Sequence, residues 1–249
     1  NETKKLFLTQ NFSLPTILKD GTVVKLDANI NAGVYQIKKY NNPVKGNFDH
    51  DKFRHNAFPQ FSLEVSKPYR RHGKLSTSIV TPKILAVKSN KKAFNKNIPD
   101  DSDINNFDLD FVDLFKTNRL HGTDRMDNLS RIDYGFSFLN IGKGSFNDVT
   151  SVNLGQSLQF ERNKYLNKNS GINDKFSDVT GNFDFRPISN INFNSYFIID
   201  KNDFSLKNAY SNLLIQQKNA YLSISNNHYS PVIDETGEVL IEGKNQFSL

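Results

Sequence analysis

Apolar and polar residues alternate almost without interruption between residues 22 and 35. Successive side chains of a β-strand point to opposite faces, so this run predicts a strand with one apolar and one polar face. The apolar side extends over about eleven residues, which matches the ~9–11 of a tilted membrane-spanning strand and exceeds the ~5–6 of most soluble strands. Its apolar positions are Val24, Leu26, Ala28, Ile30, Ala32 and Val34, and the polar positions between them are Lys25, Asp27, Asn29 and Asn31.

The same alternation returns in later parts of the chain, and its repeats predict roughly eleven strands. Pro59 lies in one of them, and we expect it near the strand start because proline cannot donate a ladder hydrogen bond. In another, the alternation weakens around Thr81 and Pro82, which indicates a bulge. The predicted strands cover about 5–15, 22–35, 57–66, 75–88, 132–138, 151–160, 178–185, 191–199, 204–216, 219–225 and 239–249.

Short and long connections alternate between these strands. Outer-membrane barrels have short periplasmic turns and longer extracellular loops, whereas a soluble sandwich has no reason to sort its loops by length. The sequence therefore predicts an all-β fold, an antiparallel up-and-down transmembrane β-barrel region over 1–249 with a long extracellular loop at about 89–130. The short connections lie at 19–21, 70–74, 142–145, 187–190 and 217–219, and the longer ones at 39–55, 89–130, 163–175 and 226–237, with 200–203 as a short exception.

Two features predict that this region is an incomplete piece of a larger barrel. About eleven strands is an odd number, and single-chain bacterial barrels close with an even one. The first residues, NETKKLFL, contain neither an initiator Met nor the features of a signal peptide, so we expect a processed or excised N-terminus.

Composition narrows the function classes. The chain has no cysteine, so it holds no disulfide and no thiolate metal site. No apolar run approaches the ~18 residues of a membrane helix, so a membrane protein with this sequence must be a barrel. The net charge of +6 is scattered and not clustered, which favours a solvated surface. A phosphorylated glycolipid is the more specific anionic partner, and we expect no nucleic acid because no binding motif accompanies the charge.

Two groups of polar residues are candidates for sites of chemistry. The acidic residues of the long loop suggest calcium, but they fit no EF-hand spacing, and a solvated acidic loop is favoured. His121 with Asp124 and Arg125 could form an acid–base cluster, although a structural ion pair is favoured because no nucleophile accompanies it. No cofactor, metal or enzymatic activity is therefore predicted. The acidic residues are Asp100, Asp101, Asp103, Asp108, Asp110 and Asp113.

Polar strand residues are candidates for the water-facing side of a barrel. The predicted lumen-facing positions are Lys25, Asp27, Asn29, Asn31, Gln60 and Glu64. The basic residues Lys25, Arg131, Lys207 and Lys244 either contact anionic sugar and phosphate or form an ordinary solvated face, and the sequence leaves both open.

The segment over 111–135, FVDLFKTNRLHGTDRMDNLSRIDYG, is too specific to reflect composition alone. It resembles the central signature of the LptD family of lipopolysaccharide-assembly proteins. Stretches at 80–83 and 99–102 and the pair Gly155 and Gln156 extend the resemblance over about 59–160. The matching signature positions are Leu114, Phe115, Asn118, Arg119, Gly122, Asp124, Arg125, Arg131, Tyr134 and Gly135.

The resemblance implies a large barrel in the outer membrane of a Gram-negative bacterium. Such a barrel receives lipopolysaccharide from a periplasmic bridge through an N-terminal jellyroll, holds the lipoprotein LptE as a plug, and inserts lipopolysaccharide into the outer leaflet among outer-membrane lipid. It also implies that the signature residues are structural. We further expect Asp124 and Arg125 to organise the long loop, because an Asp beside Gly122 can accept from loop amides and Arg125 offers a planar fork. The alternatives are a passive porin or receptor barrel, or a soluble carbohydrate-binding β protein.

Overall fold

The computed structural model describes residues 2–42, 46–48, 52–89, 109–120, 126–143, 148–161, 171–172, 174–233 and 239–249. These residues form strands almost throughout, with one short helix. The strands are β1 Glu2–Ile17, β2 Val23–Asn42, β3 Gly46–Phe48, β4 Lys52–Ser66, β5 Tyr69–His72, β6 Ser76–Ser89, β7 Arg131–Gly142, β8 Val149–Gln159, β9 Val179–Ile188, β10 Ile191–Ile199, β11 Leu206–Gln217, β12 Ala220–Tyr229, β13 Val232–Ile233, β14 Val239–Ile241 and β15 Lys244–Ser248, and the helix is α1 Phe111–Leu114.

Eleven of the strands form one continuous antiparallel path, in the order β1-β2-β4-β6-β7-β8-β9-β10-β11-β12-β15. Strands β3 and β5 pair with β2 and β6 beside this path, and β13 and β14 form a separate hairpin. The all-β, antiparallel, up-and-down prediction is confirmed, and the path length agrees with the predicted strand number. Its outer strands are β1 and β15, which do not pair with each other within the described residues, so the sheet is not closed there.

The strand containing Pro82 differs from the prediction. Its register with β7 runs without a shift from Ser76 to Val87, so the predicted bulge was wrong. The interruption lies in the neighbouring strand, where β4 ends at Ser66 and β5 begins at Tyr69. The N–H of Lys67 donates to the carbonyl of Pro82 across this break. Strand β6 also changes partner at Pro82, from β5 to β4.

Strand ends also differ from the prediction. Pro59 lies in the middle of β4, but β6 pairs with β4 only from Gln60 onward, so a missing N–H costs no bond on that side. Strand β2 continues to Asn42, and residues 226–229 belong to β12 and not to a loop. Cross-strand pairing extends these strands through stretches whose polar composition resembles a connection.

Directly paired residues share a face of the sheet, and the register separates two chemically different faces. The apolar face carries exposed side chains such as Leu14 at 67% and Ile30 at 44%. One row of paired residues on the apolar face is Leu14, Leu26, Leu63, Ala86, Ile132 and Leu158. The adjacent row on the polar face is Ser13, Asp27, Ser62, Val87, Arg131 and Gln159.

Short turns at one end of the sheet and longer connections at the other also agree with the prediction. The described short turns occupy 18–22, 73–75, 189–190 and 218–219, and residues 144–147 of the predicted connection at 142–145 lie outside the described residues. In the described part of the chain, no helix is long and apolar enough to cross a membrane.

Candidate functional site

The connection between β6 and β7 folds back onto the polar face of the sheet. We call residues 109–120 and 126–130 the docked segment. At one side, the amide nitrogen Nε2 of Gln60 donates to the carbonyl of Asp127 over 2.7 Å. At the other side, Thr180 Oγ1 and Tyr196 Oη both donate to the carbonyl of Leu109, over 2.9 and 2.6 Å. The docked segment therefore spans the polar face from β4 to β10.

Helix α1 begins the docked segment. Asp110 is its N-cap, and its carboxylate accepts a hydrogen bond from the backbone N–H of Asp113. Asp113 in turn pairs with Lys116 one turn later. An aspartate at this position satisfies a helix N–H that would otherwise lack a partner. The two described members of the acidic loop thus stabilise a helix turn, and no described residues form a group of three or more potential metal ligands.

Two glycines make room for this helix. Gly135 of β7 and Gly155 of β8 are directly paired. A β-carbon on Gly155 would stand 2.4 Å from Leu114 Cδ2, and one on Gly135 would stand 2.3 Å from the carbonyl oxygen of Leu154. The glycine pair leaves a depression that Leu114 fills. Leu114 also packs in a buried apolar cluster whose other members are Leu109, Leu120 and Ile172, with Phe115 beside it.

A cluster of four buried charges lies beside this apolar contact. We call Arg119, Asp127, Arg131 and Asp133 the charge cluster. Arg119 Nε lies 2.6 Å from Asp127 Oδ2, and Arg131 Nη1 lies 3.0 Å from the same oxygen. Arg131 Nε lies 2.8 Å from Asp133 Oδ2. All four side chains are at most 1% exposed, and their charges balance.

Neutral groups complete the charge cluster. Arg119 Nη1 donates to Ser157 Oγ over 3.2 Å, and its Nη2 reaches Gln159 Oε1. Arg131 Nη2 donates to the backbone carbonyls of Lys116 and Thr117. The guanidinium of Arg131, on a sheet strand, therefore holds the backbone of the docked segment directly. This planar fork is a geometry that lysine cannot reproduce.

Burial and neighbouring opposite charges have opposing effects on the pKa values of the charge cluster. Burial lowers the pKa of the Arg119 guanidinium, and the nearby positive charge of Arg131 acts in the same direction. Burial alone would raise the pKa of the Asp127 carboxyl, but the charges of Arg119 and Arg131 outweigh it and hold that pKa below its ordinary value. The arginines therefore keep Asp127 ionised inside the protein.

The six polar residues predicted to face a lumen lie on the same face as the docked segment. Lys25 Nζ pairs with Asp27 over 3.0 Å, and Asn31 donates to Asn29 over 2.6 Å. Glu64 pairs with Lys83 over 3.4 Å, and Gln60 is fully buried under the docked segment. Four of these groups bind one another in pairs, so they form an internally paired polar surface.

A second ionic cluster lies at the end of the sheet with the long connections. Lys207 Nζ lies 2.8 Å from Asp178 and 2.7 Å from Asp200. Lys201 pairs with Asp174 over 3.0 Å. The sequence analysis proposed Lys207 as a solvated or ligand-binding lysine, but its ammonium group pairs with two carboxylates. Lys244 lies exposed on β15, and Arg131 lies in the charge cluster.

The described residues include several of the signature positions. Leu114, Phe115, Asn118 and Arg119 lie in the docked segment, and Asn118 Oδ1 accepts from the N–H of Asp127 over 2.8 Å. Tyr134 and Gln156 pair on the opposite, apolar face. Gly122, Asp124, Arg125 and His121, with the acidic residues 100–108, lie outside the described residues, so the proposed role of Asp124 and Arg125 stays a prediction.

The sequence analysis missed Asp127, Asp133, Ser157 and Gln159. A signal was present for Asp133, because residues two apart in a strand share a face and Arg131 is two residues away. Asp127 and Gln159 come together with Arg119 only through the fold, and no local spacing indicates that contact.

Together these features define a class: an antiparallel meander with one exposed apolar face, one polar face, and a connection folded onto the polar face. The model of the LptD family, LPS transport system D, matches residues 1–239 of the 249-residue chain, and the chain belongs to that family. The family is an outer-membrane transport family that handles lipopolysaccharide, and it is not an enzyme family. A search of curated proteins finds no match.

Proposed function

We propose that this sheet is part of the wall of a transmembrane β-barrel that inserts lipopolysaccharide into the outer leaflet. In this proposal the whole chain is one barrel region, its apolar face contacts membrane lipid, and its polar face borders the lumen. The observation that carries the proposal is the joint arrangement of the two faces. The exposed side carries an apolar row that crosses six paired strands from Leu14 to Leu158, while the docked segment lies on the polar side from β4 to β10.

The register supports a lipid-facing role for the apolar side. A row such as Leu26, Leu63 and Ile132 crosses neighbouring strands without a charged residue. A charged side chain costs free energy at the centre of a bilayer, and an uncharged row avoids that cost. The exposed fractions of Leu8 and Leu14, both 67%, would be unusual for a soluble sheet of this size but suit lipid contact.

The docked segment suits a structural role inside the barrel. It buries the charge cluster and fills the depression at Gly155, so it narrows any lumen that the polar face borders. Lipopolysaccharide would therefore pass a surface whose polar side chains already bind one another, and not a row of unpaired cations. We infer that the signature residues shape this path and perform no bond chemistry.

The proposed partners are those that the family resemblance implies. The proposed barrel receives lipopolysaccharide from a periplasmic bridge and holds an LptE-like lipoprotein against its polar face. In this arrangement the short turns face the periplasm, and the long connections, including the long loop at 89–130, lie toward the cell exterior.

A depletion experiment tests the proposal. The full-length protein that contains this chain would replace the family member of a depleted Gram-negative strain, and lipopolysaccharide at the cell surface would be measured. We expect wild-type protein to restore it and Arg131→Ala to fail, because that change releases the docked segment. Lys218→Ala, in an exposed short turn, is the matched control.

The amount of each variant in the outer membrane is measured as well, because it distinguishes a loss of transport from a loss of folded protein. Normal surface lipopolysaccharide with Arg131→Ala folded at wild-type level would contradict the role of the docked segment. If the wild-type protein restores no lipopolysaccharide but conducts small solutes, the passive porin alternative replaces the proposal.

A further inference from the structure

A groove of about 420 Å³ lies on the apolar face where β4, β6 and β7 meet. Its floor is Ala86, the small residue in a row whose neighbours are Leu63 and Ile132. One row nearer the long connections, Phe61 and Phe160 form its walls, with exposed fractions of 53% and 56%. The volume falls within the ~300–1,000 Å³ range of ligand pockets.

The groove results from the small side chain of Ala86 in its row of paired residues, and not from a gap between strands. Ala86 pairs with Leu63 on one side and with Ile132 on the other, so a short side chain stands between two long ones. The N–H of Phe160 donates to the carbonyl of Ser130 over 3.1 Å, which positions the second aromatic wall just after the end of β8 and beside the start of β7. The depression therefore follows from the strand register.

Two cationic residues line this apolar groove, and of these Lys88 is exposed whereas the Arg131 side chain is buried in the charge cluster. Lys88 pairs directly with Phe61 and is exposed on the same face as Ala86. Among the described residues that line the groove, no carboxylate accompanies it. An ammonium group above an apolar slot complements an anionic headgroup whose acyl chain extends away from it.

We propose that this groove binds one acyl chain of the lipid A part of lipopolysaccharide, with a lipid A phosphate on Lys88. The inference rests on the proposed function, because it takes the apolar face as lipid-facing and the long connections as exterior. Lipid A combines phosphate groups with several acyl chains, so it offers both parts that the groove complements. The groove holds a lipid on the outer wall and is separate from the path along the polar face.

Binding by purified protein tests the inference. The full-length protein would be delipidated in detergent, and bound lipid A counted by native mass spectrometry as its concentration is raised. We expect Lys88→Glu to weaken binding about three- to tenfold, because a charge-assisted contact becomes a repulsion. Ala86→Phe should weaken it by a similar factor because the added ring fills the groove.

Two substitutions on the same face serve as matched controls. Lys4→Glu makes the same charge change at an exposed position of β1, and Ala32→Phe adds the same ring on β2. Each should change lipid A binding less than about twofold. The thermal unfolding temperature of every variant is measured first, so that only folded proteins are compared.

Each outcome supports or overturns the inference. Lipid A that loses its phosphates should bind wild-type and Lys88→Glu protein equally. Equal weakening by Lys88→Glu and Lys4→Glu would overturn the inference in favour of general charge attraction. Phosphatidylglycerol binding with the same tightness and the same variant pattern would overturn lipid A as the occupant. Because these are binding readouts, they remain separate from the depletion experiment, whose failure would reject the proposed transport function alone.

Discussion

Leu114 Cδ2 occupies the space that a β-carbon on Gly155 would need, with only 2.4 Å between the two positions. Leu114 belongs to the docked segment and Gly155 to the sheet, so this contact joins the two parts of the molecule. The Leu-Phe and Gly-Gln elements of the family signature, separated by about forty residues in sequence, are therefore the two sides of one packing contact. The pairing of Gly155 with Gly135 widens the depression on the neighbouring strand.

The first prediction concerns the two glycines. We expect Gly155→Ala to destabilise docking by about 1–3 kcal/mol, because the new methyl group meets Leu114. Adding Leu114→Ala should recover part of that loss. Gly135→Ala should not be rescued in the same way, because its methyl group would meet a backbone carbonyl. Limited proteolysis of the docked segment measures the effect, and equal rescue of both glycine variants would contradict the contact described.

The charge cluster gives a second prediction. Arg119→Met leaves Asp127 buried without its closest cation and should lower the free energy of unfolding by about 3–5 kcal/mol. The double variant Arg119→Met with Asp127→Leu removes both charges and should lose less than the sum of the single variants. Urea unfolding in detergent micelles measures these differences. Strict additivity of the two single changes would mean that the pair is not coupled.

The third prediction compares neighbouring positions on opposite faces. Ile30→Arg should cost roughly 2–4 kcal/mol if the residue lies near the bilayer midplane, whereas Asn29→Arg should cost about 1 kcal/mol or less. Alternation alone predicts the same tolerance at Ser62, but Ser62 is 4% exposed and its Oγ lies 2.9 Å from Thr117 Oγ1. Ser62→Arg should therefore displace the docked segment. Folding yield into lipid vesicles distinguishes the three, and similar yields for Ile30→Arg and Asn29→Arg would reject a lipid-facing side.

The fourth prediction is a pH dependence at Asp200. Partial burial would raise the pKa of this carboxyl, but hydrogen bonds from Lys207 and from the N–H of Asn202 outweigh it and lower the pKa to about 2. The unfolded value is about 3.9. Because the folded pKa is the lower one, the pairing stabilises the fold above about pH 4, and this contribution is lost as the pH falls toward 2.

Asp200→Asn should therefore lower stability at pH 6 and make the decline between pH 4 and pH 2 shallower than in wild type. Thermal unfolding across this pH range is the measurement. Parallel profiles for the two proteins would show that Asp200 does not titrate with unfolding.

The fifth prediction concerns topology. An epitope tag inserted at Asn202, in an exposed turn on the side of the long connections, should react with antibody on intact cells. A tag at Lys143, in a short turn, should react only after the outer membrane is permeabilised. The reverse pattern would invert the proposed orientation, and reaction of both tags on intact cells would exclude a spanning sheet.

The sequence by itself determined the strand pattern and the two faces. Side-chain direction in a strand has a period of two, so Lys25 and Asp27 could be assigned to one face and Leu26 to the other without a partner strand. The alternation of short and long connections likewise followed from counting residues. The resemblance carried by the 111–135 segment led to the family, which the match over 1–239 confirmed.

Only the tertiary structure decided where the signature segment lies and which residues it contacts. Arg119 meets Gln159 across forty residues of chain, and Leu109 meets Tyr196 across a longer separation. Contacts of this kind depend on register across several strands and on the path of a long connection, which leave no periodic trace in the sequence. The ends of the strands were also decided by the tertiary structure, because β2 and β12 continue as far as a neighbouring strand forms hydrogen bonds with them. Local alternation fixes the face of each residue, whereas only the assembled sheet fixes its partners.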